Sequence, residues 1–73
     1  MAISKDDPLT PAEEVVFSEL AYGKSNKEIA RQLGISEGTV KLHCTAIFKK
    51  LDVTSRVQAA LMFHGVNVKR MLP

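Results

Sequence analysis

The sequence predicts an all-α fold of four short helices, and three observations carry that expectation. Ser, Thr or Asp/Asn caps stand before each apolar-periodic run, glycines punctuate the ends, and no stretch alternates apolar and polar residues as a half-buried strand would. At 73 residues the chain has room for one small domain, which hides only about 60% of the surface its unfolded form exposes. Its core must therefore be compact.

The first helix is expected from Thr10-Pro11-Ala12-Glu13. Thr10 caps, Pro11 suits a first helical position, and Glu13 returns the capping bond. Val16, Phe17, Leu20 and Ala21 follow at helical spacing, and Gly23 permits a left-handed stop. A second capping box, Ser25-Asn26-Lys27-Glu28, opens the second helix, whose inner stripe is Ile29, Ala30 and Leu33. The chain then turns sharply through Gly34-Ile35-Ser36. Ser36 caps the third helix, with Glu37 in its first turn, where negative charge suits the helix dipole.

That third helix should bury Val40, Cys44, Ile47 and Leu51 and expose Lys41, Leu42, Thr45 and Lys49. Asp52 stands where a terminating glycine often sits. A fourth helix, capped near Thr54-Ser55, is expected to close the core with Val57, Ala60 and Leu61 and to stop at Gly65. Residues 1–8 read as a disordered lead or linker, 9–65 as the domain, and 66–73 as a tail.

Composition narrows the chemistry. The single cysteine, Cys44, cannot form an intramolecular disulfide or a cysteine-rich zinc site. It falls on the inner stripe and reads as a core residue. His64 and Cys44 have no metal-ligand spacing, and Ser25, Ser36 and Ser55 are caps rather than nucleophiles. No cofactor and no enzymatic activity are expected, because paired carboxylates, an activated nucleophile and a metal cluster are all missing from the sequence. The longest apolar run, Ala59–Phe63, is far short of the roughly 20 residues that span a bilayer. A cytoplasmic setting without membrane attachment is expected.

Charge is distributed unevenly. Residues 1–23 hold one base against five acids, a net of −4, whereas residues 24–50 hold six bases against two acids, a net of +4. A basic stripe of this kind is the electrostatic footprint of a phosphate-binding surface, although a solvated lysine-rich face has the same charge pattern.

The second helix, its glycine-containing corner and the third helix together make the helix-turn-helix arrangement. The helix around 37–51 then suits the major groove of double-stranded DNA, about 12 Å wide. Lys41, Leu42 and Thr45 are the expected base contacts: the first donates to guanine, the second meets a thymine methyl, and Thr45 does either weakly. Lys27, Ser36, Thr39, Lys49 and Lys50 are the expected phosphate contacts, with the amides that open the second and third helices. His43 either packs against the first helix or reaches a phosphate.

The strings LTPAEE, GKSNKEIARQLGISEGTVKLH and KKLDVTSRVQAA, across Leu9–Phe63 or about three quarters of the chain, resemble the LuxR-type (GerE- and FixJ-like) DNA-binding domain. The resemblance implies a four-helical module of bacterial transcription regulators, placed behind a phosphoreceiver (response regulator) or sensor domain in a longer chain, dimerising on DNA through its fourth helix. It also implies base contacts at Lys41, Leu42 and Thr45 and backbone contacts near Ser36, Thr39, Lys49 and Lys50. Ala59, Met62 and Phe63 are the apolar residues expected to form the homodimer patch. The sequence departs from the family at Ala12, where arginine is usual, at Glu14 and Val15, and at Ala46, where asparagine is common. A sigma-factor region four, which would bind RNA polymerase as well as DNA, shares the EIA…GISEGTVK pattern, but lacks a fourth helix like that of KLDVTSRVQAA. A helical protein-interaction module with an acidic partner is the alternative from another class.

Overall fold

A computed structural model describes residues 7–66. The expected lead and tail lie almost wholly outside them. Four helices follow in order: α1 (Pro11–Ala21), α2 (Asn26–Leu33), α3 (Glu37–Leu51) and α4 (Arg56–Phe63). There is no strand among the described residues.

Each helix begins where its cap stands. The Thr10 hydroxyl accepts from the Glu13 amide while the Glu13 carboxylate accepts from the Thr10 amide, and Ser25 and Glu28 repeat the exchange at α2. Ser36 accepts from the Thr39 amide and Ser55 from the Gln58 amide. Each such cap is worth about 1 kcal/mol, so four of them matter in a domain this small.

Two left-handed residues shape the functional end. Gly34 has φ +70° and ends α2, which turns the chain abruptly toward α3. Asp52 has φ +58° and ends α3, the role its position suggested.

Val16 and Leu20 from α1, Ile29 and Ala30 from α2, Val40, Cys44 and Ile47 from α3, Val53, and Ala59 from α4 form the core. Helix α1 lies against both α3 and α4, while α2 packs on α3. Burial pushes the Cys44 thiol above its ordinary range, against the opposing influence of nearby Arg56. The thiol therefore stays protonated, as a packing group does.

The fourth helix corrects the sequence reading. Val57, expected inside, is 68% exposed, whereas Ala59, expected on the dimer patch, is fully buried. Successive helical residues are about 100° apart, so Val57 and Ala59 face nearly opposite ways. Two apolar triplets at helical spacing, Val57-Ala60-Leu61 and Ala59-Met62-Phe63, compete on this short helix. The phase that centres Ala59 inward prevails and turns Val57 out, while Ala60 and Leu61 pack against the core as expected. Phe63 packs its ring edge-to-face with Phe17 at 5.1 Å and with Tyr22 at 5.7 Å. Met62 also lies against the core. Ala59 is withdrawn from the dimer patch, and Phe63 and Met62 are engaged within the fold.

Candidate nucleic-acid interface

Helix α3 carries the candidate surface. Lys41, Leu42, Thr45 and Lys49 are exposed, as are Glu37 and Gly38 at its start. With about 100° between neighbours, Lys41, Thr45, Lys49 and Leu42 share an arc of about 100°. The opposite arc holds Val40, Cys44 and Ile47 in the core. The three side chains expected to meet bases therefore stand together and outward. Leu42 is 72% exposed, an unusual position for a large apolar side chain.

The polar groups around this arc differ in what they have left to give. Among the described residues, the ammonium groups of Lys27, Lys41 and Lys49 have no ion-pair or hydrogen-bond partner. Ser36 Oγ and Thr39 Oγ1 lie 2.9 Å apart and share one hydrogen bond, so one hydroxyl proton of the pair remains to be donated. The Thr45 hydroxyl donates to the Lys41 carbonyl at 3.0 Å, so its donor is used within the helix.

Lys50 does not belong to this surface. Its Nζ lies 2.6 Å from Glu13 Oε1, and both side chains are 8% exposed. Lys49 and Lys50 point about 100° apart, so when the first faces outward the second turns toward α1. The expectation that Lys50 holds a phosphate is corrected accordingly. Glu13 Oε1 also accepts from the Thr10 amide at 2.9 Å. One carboxylate oxygen thus joins the cap of α1 to the last turn of α3. Burial alone would raise the Glu13 carboxyl. The hydrogen bonds from Lys50 and Thr10, with the charge of Lys50, outweigh it and hold the group below the ordinary glutamate range.

Arg56 was not singled out in the sequence. Its guanidinium donates to Asn26 Oδ1 at 2.7 Å and also to the Lys24 carbonyl, fastening the start of α4 to the start of α2. A signal existed: a base in the first turn of a helix opposes the dipole and implies a partner elsewhere. Lys24 itself pairs with Glu19 at 2.8 Å and donates to Gln32 at 2.6 Å, so it is engaged within the fold.

His43 is half-buried and lines an apolar cleft of about 240 Å³ with Ala12, Val15, Val16, Leu33 and Ile35. This supports the packing reading over a phosphate contact. The cleft lies where Ala12 and Val15 depart from the family pattern. His64 Nε2 lies 2.9 Å from the Ala21 carbonyl, a contact that needs the proton on Nε2, and its ring meets Tyr22 edge-on. Among the described residues no group of three or more His, Cys, Asp or Glu is placed to hold a metal ion. No described helix is long and apolar enough to cross a membrane.

The sequence pattern of the luxR family of bacterial regulatory proteins matches residues 7–63. The chain belongs to that family. Its relatives include the transcriptional regulatory protein YhcZ of Bacillus subtilis, 57% identical over 60 residues, or 82% of this chain and 28% of the relative. The nitrate/nitrite response regulator protein homolog of Haemophilus influenzae is 49% identical over 61 residues, covering 84% and 29% respectively. The transcriptional regulatory protein LiaR of B. subtilis is 47% identical over 58 residues, covering 80% and 28%. The chain thus spans under a third of the length of these luxR-family relatives. DNA-binding regulation of transcription is the work of the family.

Proposed function

We propose that this luxR-family domain binds double-stranded DNA sequence-specifically, with α3 in the major groove, and so regulates transcription. The single observation that carries the reading is the outward cluster of Lys41, Leu42 and Thr45 just beyond the Gly34 corner. A helix 10–12 Å across fits a groove about 12 Å wide, and these side chains reach base edges from that position. Lys27, Lys49 and the Ser36–Thr39 hydroxyl pair flank the cluster and set the register on phosphates. The domain works in the cytoplasm within a longer chain. Relatives named as response regulators support an N-terminal receiver domain there.

Titration of a duplex selected from a random pool, across a range of salt, tests this. The slope of log affinity against log salt is expected near −0.9 per neutralised phosphate. Lys49→Ala should weaken all sequences alike and flatten the slope by about 0.9. Lys41→Ala should cost about 1–3 kcal/mol on the preferred site and relax its preference there. Binding indifferent to both salt and sequence, or tight binding to an acidic protein instead, would refute the reading.

Two chains on one palindromic site complete the proposal. Val57, 68% exposed on α4, is the apolar residue that meets its copy across a two-fold axis. Val57→Glu should shift the complex from two chains per duplex to one, as read by ultracentrifugation. An unchanged stoichiometry would place the contact elsewhere.

A further inference from the structure

We propose that the cleft between α1 and α3 binds a small aromatic carboxylate, and that the occupied cleft weakens the hold on DNA; the second half rests on the DNA-binding reading above. The walls are Ala12, Val15 and Val16 from α1, Leu33 and Ile35 around the Gly34 corner, and His43 from α3. Five of the six are apolar. The sixth, His43, is half-buried and has no hydrogen-bond partner among the described residues. At about 240 Å³ the cleft is smaller than the pockets of roughly 300–1,000 Å³ that hold drug-sized molecules. One aromatic ring on a short arm is the scale that fits. Ala12, where the luxR family usually has arginine, is too short to cover the opening, and Val15, 43% exposed, adds apolar wall that remains open to solvent. A ring seated there gains by the apolar area it removes from water.

The polar side of the cleft suits an anion. Whichever ring nitrogen of His43 carries the proton donates, and a carboxylate only accepts. Thr39 lies four positions before His43, hence on the same side of α3, and shares with Ser36 the hydroxyl pair that has one proton left to donate. Both residues belong to the first two turns of α3, the helix end that carries positive partial charge. The acids nearby do not oppose this. Glu37, in the first turn of α3, points about 120° away from His43, and Glu14 about 160° away from Ala12. Glu13 and Glu19 are each paired with a lysine. A carboxylate held here takes the hydroxyl proton otherwise offered to a phosphate and sets a negative charge beside it, so ligand and DNA oppose each other.

The test follows amide and methyl chemical shifts of the whole chain, without DNA, as phenylacetate is added. Phenylacetamide serves as the neutral twin and acetate as the head group alone. Phenylacetate should move residues 12–16, 33–35 and 43 with a Kd of about 1 mM, and phenylacetamide should bind about fivefold more weakly. In His43→Phe the acid and the amide should bind alike. Ala12→Leu fills the cleft from an exposed helical position and should weaken both by about tenfold. Shifts that scatter over the chain, that acetate reproduces, or that persist unchanged in Ala12→Leu overturn the site. An amide that matches the acid in the parent chain overturns the carboxylate. With phenylacetate near saturation and ionic strength held constant, affinity for the selected duplex should fall about fivefold, the value of one hydrogen bond to phosphate. Cleft shifts with unchanged duplex affinity keep the site and overturn its effect on DNA. If no duplex binds at all, the DNA-binding reading fails and the effect on DNA with it, while the shift titration still decides the site.

Discussion

Lys50→Ala is expected to destabilise the domain by about 3 kcal/mol, because it strands the Glu13 carboxylate in a site built for a pair. Glu13 and Lys50 are each 8% exposed and 2.6 Å apart, and Glu13 also closes the cap of α1. Loss of the ammonium therefore loosens both the α1–α3 contact and the first turn of α1. For a domain of this size that loss should lower the melting temperature by roughly 15 °C. It approaches the whole stability of a small fold, about 5 kcal/mol at the low end.

The pH dependence follows in sign. Glu13 is held below the ordinary range in the folded chain, whereas an unfolded glutamate titrates near ~4.3. Its contribution is fully present above that unfolded value and is lost as pH falls through the folded one. The gap between parent and Lys50→Ala, read from urea melts, should therefore narrow as pH drops below about 4. A variant that keeps full stability but loses salt dependence on DNA would return Lys50 to the phosphate surface.

Arg56→Ala is the second large effect, about 2 kcal/mol. It removes charge-assisted hydrogen bonds to Asn26 Oδ1 and the Lys24 carbonyl, each worth more than a neutral bond. Both acceptors sit where α2 begins, so amide exchange protection should fall first around residues 25–29. Arg56→Lys should recover only part of the loss, since one ammonium does not reproduce the two-pronged guanidinium. A change below about 0.5 kcal/mol would mean that water replaces the arginine at no cost.

The contrast between what was and was not legible has a physical basis. Caps, the Gly34 corner and the Asp52 stop follow from short-range chemistry, so Thr10, Ser25, Ser36 and Ser55 mark the helix starts correctly. The outward cluster on α3 was legible because its apolar stripe has one phase. Helix α4 has two apolar phases, and only packing against the other helices decides that Ala59 faces in and Val57 out. Lys50 and Arg56 find partners 37 and 30 positions away, and no local pattern announces a contact at that distance. Lys50 looked like a second phosphate lysine because it follows Lys49, although adjacent residues on a helix face different ways.

If the outer arc of α3 is the surface that meets DNA, the amides beneath it must sense the duplex. Amide chemical shifts, followed residue by residue as the selected duplex is added, read this without any substitution. The largest changes are expected at residues 36–45, with a second set at the start of α2 around Lys27. Changes concentrated on α1 and the aromatic end near Tyr22 and His64, with Lys41, Leu42 and Thr45 unmoved, would place the DNA on another face.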